Sequence, residues 1–263
     1  MAIRDNFDLV IFDWAGTMVD FGCHAPVIAL REAFALRGVI IGDAAIRAHM
    51  GKAKVDHVRA LLQDSGVAEA WARIRGGAPV EADVADLMTD LGPLMRGQAA
   101  IASSLIGGAR ATVDELRKEG IKIASSTGYT REMMLPVLKE AAAQGYVPDH
   151  LVCSGETPAG RPTPLMIYKA CAELGVWPLS RVVKVDDTEA GAAEGRAADC
   201  FTVGVTASGN GVGLSQEELT ALPAEDRAAR IAAVGKSLTA AGADVVIETV
   251  AELVPVLQNS ARR

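Results

Sequence analysis

Leu9 to Phe12 is an unbroken apolar run, LVIF, followed at once by small and polar residues. That pattern predicts a short, fully buried strand. From Ala25 to about Gly97 the pattern changes. Apolar positions recur at helical spacing in Val27-Ile28-Leu30-Phe34, in Val55-Val58-Leu61-Leu62 and in Val84-Leu87-Leu91-Leu94. Breaks are expected at Gly38, Gly51, Gly66, Gly76-Gly77 and Gly92-Pro93. From Ile106 onward, strand and helix patterns alternate. Helices are expected near Ala109 to Lys118, Arg131 to Gln144 and Pro164 to Leu174, with a short one before Phe201. Strands are expected at Ile121 to Ala124, His150 to Cys153, Arg181 to Val185, Phe201 to Val205 and Val245 to Ile247, and a closing helix after Thr249. Such alternation implies an α/β fold, a doubly wound parallel sheet with helices on both faces. The helical block reads as an insertion after the first strand. The expected division is an α/β core domain of residues 1–22 and 98–263 and a helical cap domain of residues 23–97.

In such sheets, ligands bind beyond the carboxyl ends of the strands. Those ends carry Asp13, then Ser126-Thr127-Gly128, then Asp186-Asp187. Three polar clusters at matching strand ends would converge on one crevice. The formal net charge of -7 argues against a non-specific nucleic-acid binder and requires local cations to hold any anionic substrate. Cys23, Cys153, Cys171 and Cys200 lie far apart and form neither a zinc knuckle nor a disulfide framework. No apolar run approaches membrane-spanning length and no secretory leader pattern opens the chain, so a cytoplasmic protein without membrane partners is expected.

The chemistry starts in FDWAGTMVDFG, Phe12 to Gly22. An Asp after a buried strand, with small residues and Thr17 behind it, suits phosphoryl transfer. In most such loops a second Asp stands two residues on and protonates the leaving group; here that position is Ala15. Ser126 and Thr127 offer hydroxyls and amides to a phosphoryl oxygen, or cap the helix beginning near Thr130. Arg161, in AGRPTP, can neutralise charge growing on phosphorus. Asp187 facing Asp13 would need a cation between them. Mg2+, which takes few carboxylates and oxygen donors, suits Asp13, Asp187 and a carbonyl of the first loop. Asp186 is the alternative ligand, since adjacent residues of an extended segment point apart.

These motifs resemble the haloacid dehalogenase superfamily. Within it, FDWAGTMVDFG, MGKAKVDHVRAL (Met50 to Leu61), STGYTREMM, AAQGYVPDH, PAGRP and KVDDTEAG are similar to the phosphonatase family, from about Asp8 to the C-terminus. The resemblance implies Asp13 as nucleophile, Mg2+ held by Asp13, the Ala15 carbonyl and Asp187, and His57 as a proton shuttle. It implies Thr127, Gly128, Arg161, Met50, Cys23 and Tyr129 around a small phosphonate substrate. It also implies a homodimer through the cap, for which the Ala-rich helix Ala25 to Leu36 would offer an apolar face. Some family members have Gly-Asp in the last motif and a further Asp four residues after the ligand; here Asp186-Asp187 is followed by Gly191.

Lys54 explains Ala15. On a helix, Met50 and His57 share its face and Lys52 points elsewhere, about 200° away. Cleaving a phosphorus–carbon bond expels a carbanion, which a carboxylic acid cannot rescue. A lysine imine on an adjacent aldehyde takes up the electron pair as an enamine. The expected activity is hydrolysis of phosphonoacetaldehyde through a lysine Schiff base and an aspartyl phosphate. The rival is a phosphate-ester phosphatase or sugar phosphomutase of the same superfamily, and from another class a non-catalytic binding protein.

Overall fold

The computed structural model describes residues 2–260. Its six strands are β1 (Leu9–Phe12), β2 (Lys122–Thr127), β3 (His150–Cys153), β4 (Val182–Asp186), β5 (Phe201–Val205) and β6 (Val245–Ile247). They form one parallel sheet in the order β3-β2-β1-β4-β5-β6. Every residue of β1 and β4 is buried. Central strands of a sheet covered on both faces must be apolar throughout, as LVIF is.

Between β1 and β2 lie α1 (His24–Leu36), α2 (Asp43–Arg47), α3 (Lys54–Gln63), α4 (Ser65–Arg75) and α5 (Glu81–Ile101), and no strand among the described residues. The core helices are α6 (Ala109–Lys118), α7 (Arg131–Ala143), α8 (Leu165–Leu174), α9 (Glu189–Ala197), α10 (Gln216–Ala221), α11 (Ala224–Ala241) and α12 (Leu253–Asn259). No helix among the described residues is long and apolar enough to cross a membrane.

The structure corrects several expectations. Gly92-Pro93 does not break α5, which runs through it. Val84, Leu87, Leu91, Met95 and Ala99 form a buried stripe, while Pro93 and Thr89, whose carbonyl loses its donor to the proline ring, face solvent. The residue whose carbonyl lacks a donor is thus exposed rather than buried, and the packing is kept. Gly66 lies in the first turn of α4, where backbone N–H groups have no helical partner anyway. Strand β2 extends to Thr127, so Ser126 and Thr127 belong to the strand rather than to the loop after it. The long helix α11 gives no clear signal in sequence because its surface is largely alanine and charge; it buries only Gly235 and Leu238. The apolar stripe of α1, from Ala25 to Phe34, is buried within the chain, leaving Leu36 exposed at its end.

Register aligns the candidate residues. Phe12 pairs with Ser125 on one side and Val185 on the other. One step further therefore brings Asp13 level with Ser126 and Asp186.

Candidate active site

At the carboxyl ends of β1, β2 and β4 the structure brings together Asp13, Ala15, Cys23, Met50, Lys54, Thr127, Gly128, Tyr129 and Arg161 around one cavity. It is narrow, with about 20 Å3 of free space. Pro26, Gly51 and Thr188 also line it, and the sequence reading had not singled them out. Asp187 and His57 lie behind the wall.

Asp13 is fixed by Arg161, whose Nη1 donates to Oδ1 at 2.7 Å. The guanidinium is shared among three further partners. Nε donates to Glu194 Oε2 at 2.9 Å, Nη2 to the Ser126 carbonyl and hydroxyl at 2.7 and 2.9 Å, and Nη1 stands 3.2 Å from Asp186 Oδ2. Lys184 donates to the Ser126 hydroxyl at 2.8 Å and pairs with Asp186 at 3.0 Å and Glu194 at 3.2 Å. Arg161, Lys184, Asp186 and Glu194 are all buried. Removing any one would strand its partners' charges away from water. Sequence reasoning missed Lys184 and Glu194. The signal for Lys184 was a lysine inside the otherwise apolar run VVKV that precedes Asp186; Glu194, on α9, carried none.

The two aspartates of the fourth motif are used differently. Asp186 Oδ1 accepts from the Thr188 N–H and hydroxyl at 3.1 and 2.7 Å, and Oδ2 meets both cations. Its carboxylate sits over Gly191, where an added Cβ would lie 1.9 Å from Asp186 Cγ. A side chain at position 191 and this placement of Asp186 exclude each other. Asp187 Oδ1 accepts from the Thr17 hydroxyl at 3.2 Å, and Oδ2 from the Asn210 N–H at 2.7 Å and the Cys23 thiol at 3.7 Å.

Electrostatics separate these carboxyls. Burial, then Asp186, pushes Asp13 up to about 6, against the pull of Arg161 and Lys184. Burial, then Asp13 and Asp186, pushes Asp187 well above the carboxylate range. Burial would also raise Asp186, but Arg161 and Lys184 outweigh it and hold that carboxyl low. Burial works against the Arg161 charge, which Asp186, Asp13 and Glu194 more than restore. Oxygens of Asp13, Asp186 and Asp187 lie within 4.8 Å of one another. Such a cluster of buried carboxylates fits a metal ion, whose charge would relieve the repulsion that raises Asp13 and Asp187. Asp186 already answers two protein cations and Asp13 one, which leaves Asp187, with no ion pair among the described residues, as the carboxylate most in need of a cation.

Lys54 is the first residue of α3 and is buried. The helix therefore does not carry Met50 and Lys54 on one stripe as expected. Met50 reaches the cavity from the turn before the helix, whereas His57 does follow one turn after Lys54. That turn packs directly on the core: the Lys54 N–H donates to the Gly128 carbonyl at 3.2 Å. An added Cβ at Gly128 would lie 2.4 Å from the Lys52 carbonyl oxygen, so glycine is required there by close approach of backbones. Lys52 points away, its Nζ 3.4 Å from His49 Nδ1.

Burial lowers Lys54 to about 8; Cys23 and Asp13 oppose this and Arg161 adds to it. The positive end of the α3 dipole also disfavours an ammonium at this position. Its Nζ lies 5.1 Å from the centroid of the Tyr129 ring, a cation–π distance when protonated. With a pKa of about 8, about a fifth of Lys54 is neutral at pH 7.4, against about one in a thousand for an ordinary lysine. His57 is fully buried, and burial, then Lys54, pushes it well below the usual imidazole range. Its Nε2 is 2.8 Å from the Ile46 carbonyl. A carbonyl only accepts, so Nε2 carries the proton and Nδ1 a lone pair, which has no partner among the described residues.

Residues 7–199 match the family model of the haloacid dehalogenase-like hydrolases. The chain is 46% identical over 248 residues to a phosphonoacetaldehyde hydrolase of Paraburkholderia phytofirmans, covering 94% of this chain and 93% of that one. It is 47% identical to one from Syntrophobacter fumaroxidans, covering 91% and 86%, and 42% identical to one from Bacillus cereus, covering 97% and 96%. Among solved structures, a phosphonoacetaldehyde hydrolase like protein from Oleispira antarctica superposes with a TM-score of 0.95 at 39% identity, covering 97% of this chain and 92% of that one. Sequence and fold agree: the chain belongs to the haloacid dehalogenase-like hydrolases and, among them, to the phosphonoacetaldehyde hydrolase family.

Proposed function

We propose that this protein hydrolyses the phosphorus–carbon bond of phosphonoacetaldehyde, giving acetaldehyde and phosphate. The observation that carries this reading is a buried lysine of lowered basicity, Lys54, opening on the same cavity as Asp13, with Ala15 where an acid would stand. Neutral Lys54 attacks the aldehyde carbon, one proton is taken up from solvent and water leaves, forming a protonated imine. An oxygen of Asp13 then attacks phosphorus. The phosphorus–carbon electron pair moves into the imine, which becomes an enamine, and Asp13 becomes an aspartyl phosphate. Protonation of the enamine carbon and hydrolysis of the imine release acetaldehyde and restore Lys54. Water then cleaves the aspartyl phosphate.

Arg161 and the amides near Thr127 and Gly128 hold the phosphonate oxygens and take up charge in the transition state. The His57 Nδ1 lone pair can receive and return the proton that imine formation moves. Cys23, Met50 and Tyr129 shape the wall around the two-carbon chain. Mg2+, held by Asp13, Asp187 and the Ala15 carbonyl, would offset the charge of nucleophile and phosphonate when bound. The helical insertion, residues 23–97, acts as a cap domain on a core of residues 1–22 and 98–263. The cavity is too narrow to admit substrate as it stands, so the cap opens for binding and closes for reaction. A cytoplasmic homodimer through the cap belongs to the same proposal. Exposed Leu36 and Ile40, rather than the buried stripe of α1, would then supply its apolar contact.

The deciding assay is phosphate release from phosphonoacetaldehyde and from a panel of phosphate esters, with and without Mg2+. Turnover of the phosphonate alone, and only with Mg2+, is expected; preference for an ester would move the phosphatase reading ahead. In the same assay Ala15→Asp should give no gain and about a ten-fold loss, because it adds a carboxylate beside Asp13 in a site that has no use for an acid. A clear gain on the phosphonate would overturn the account of Ala15.

The pH dependence has a definite sign. Lys54 attacks only when neutral, so kcat/KM should fall with unit slope as pH drops through about 8. Cys23 and Asp13 face it and hold the value up, while burial and Arg161 hold it down. A pH–rate profile with its acid limb near 10 instead would mean that burial does not tune this lysine.

A further inference from the structure

The insertion is pinned to the core at a second place, away from the cavity. Arg47, the last residue of α2, donates from Nη1 to the Gly22 carbonyl at 2.9 Å and to Asn210 Oδ1 at 3.1 Å, and from Nη2 to the Gly213 carbonyl at 3.2 Å. Asn210 answers with its Nδ2, which donates to the Arg47 carbonyl at 3.1 Å. The backbone N–H of the same Asn210 donates to Asp187 Oδ2 at 2.7 Å. Two residues earlier, the Ser208 hydroxyl donates to the Gly16 carbonyl at 2.7 Å. The segment after β5 therefore braces Asp187 and the loop after β1 together, and Arg47 grips that segment from the insertion.

The grip also reaches Lys54. The His57 ring holds the Ile46 carbonyl, so α3 is tied to the residue next to Arg47. Seating Arg47 and seating Lys54 are then largely one event. We propose that Arg47 and Asn210 are positioning residues that couple the seating of the helical insertion to the orientation of Asp187, and so to cation binding. The side chain of Asn210 reads the insertion and its backbone holds the ligand. By linkage the coupling is reciprocal: a bound cation favours the seated insertion as much as seating favours the cation. The proposal rests on Asp187 as a cation ligand.

The test is calorimetric titration of the substrate-free protein with Mg2+, for the native chain, Arg47→Met, Asn210→Ala and the double variant. Asn210→Ala keeps the backbone N–H and loses only the grip. Each single variant should bind Mg2+ about ten-fold more weakly. The double variant should be no weaker than the weaker single, because both changes break one link. Arg47→Lys, which keeps a cationic donor, should recover part of the loss and guards against a misfolded Met variant. Mg2+ should slow amide exchange across residues 46–57 in the native chain and not in Arg47→Met. Equal affinity in all variants, or additive losses in the double, overturns the coupling while leaving Asp187 as ligand. A native chain that binds no Mg2+ overturns both.

Discussion

Lys54→Arg should fold and lose phosphonate cleavage by about 10³-fold or more. The substitution keeps a positive charge, but a guanidinium stays protonated and cannot attack an aldehyde. Because Lys54 is buried beside a cavity of about 20 Å3, a bulkier head group also risks displacing the turn before α3. Lys54→Met, unbranched, neutral and one atom shorter, separates these effects. If it melts like the native chain and is equally inactive, the amine and not the packing is what was lost. Borohydride with acetaldehyde should inactivate the native protein and leave a two-carbon adduct on Lys54. Lys52 should stay unmodified, since its amine lies toward His49 and outside the cavity. An unmodified Lys54, or near-normal turnover in either variant, would remove imine catalysis and leave Ala15 without an explanation.

Asp187→Asn is expected to separate stability from metal binding. In the native chain burial, Asp13 and Asp186 raise the Asp187 carboxyl, so ionising it in the folded state is unfavourable. A carboxyl raised on folding makes the metal-free protein lose stability as pH climbs from the ordinary carboxylate value toward the raised one. An amide of the same shape avoids that cost and still accepts from Asn210 through its oxygen. Metal-free Asp187→Asn should therefore melt no lower than the native chain at pH 8. It should also lose the rise in Tm that Mg2+ gives the native protein, and about 10²-fold or more in activity. A retained Mg2+ shift would transfer the ligand role to Asp186. Asp186→Asn should behave oppositely. It removes the counter-charge of Arg161 and Lys184, so it should lower Tm with or without metal.

The sheet was legible because its signals are local. Strands β3, β5 and β6 coincide with their largely apolar runs, since a parallel strand packed under helices is apolar along most of its length, even though the edge strand β6 leaves Val246 exposed. Convergence of Asp13, Ser126 and Asp186 followed from that regularity, because parallel strands in register end together. The family motifs could be read for the same reason: each is a short run at a strand end. The alternation from Ile106 onward and the helical block before it were likewise visible as changes of period.

Other features depend on contacts between distant segments, and periodicity does not report these. Pro93 stays inside α5 because the opposite face of that helix is buried. Met50 and Lys54 meet at the cavity through a turn seated on Gly128, although no single helix carries both. Adjacent letters in the sequence, Asp186 and Asp187, acquire different chemistry only from their surroundings. One faces Arg161 and Lys184, the other Thr17, Cys23 and Asn210. Sequence thus determined which groups stand at the strand ends, since backbone geometry and hydrophobic period place them. Tertiary structure decided which of them carry charge, because desolvation and neighbouring ions set a pKa, and both belong to the packed molecule.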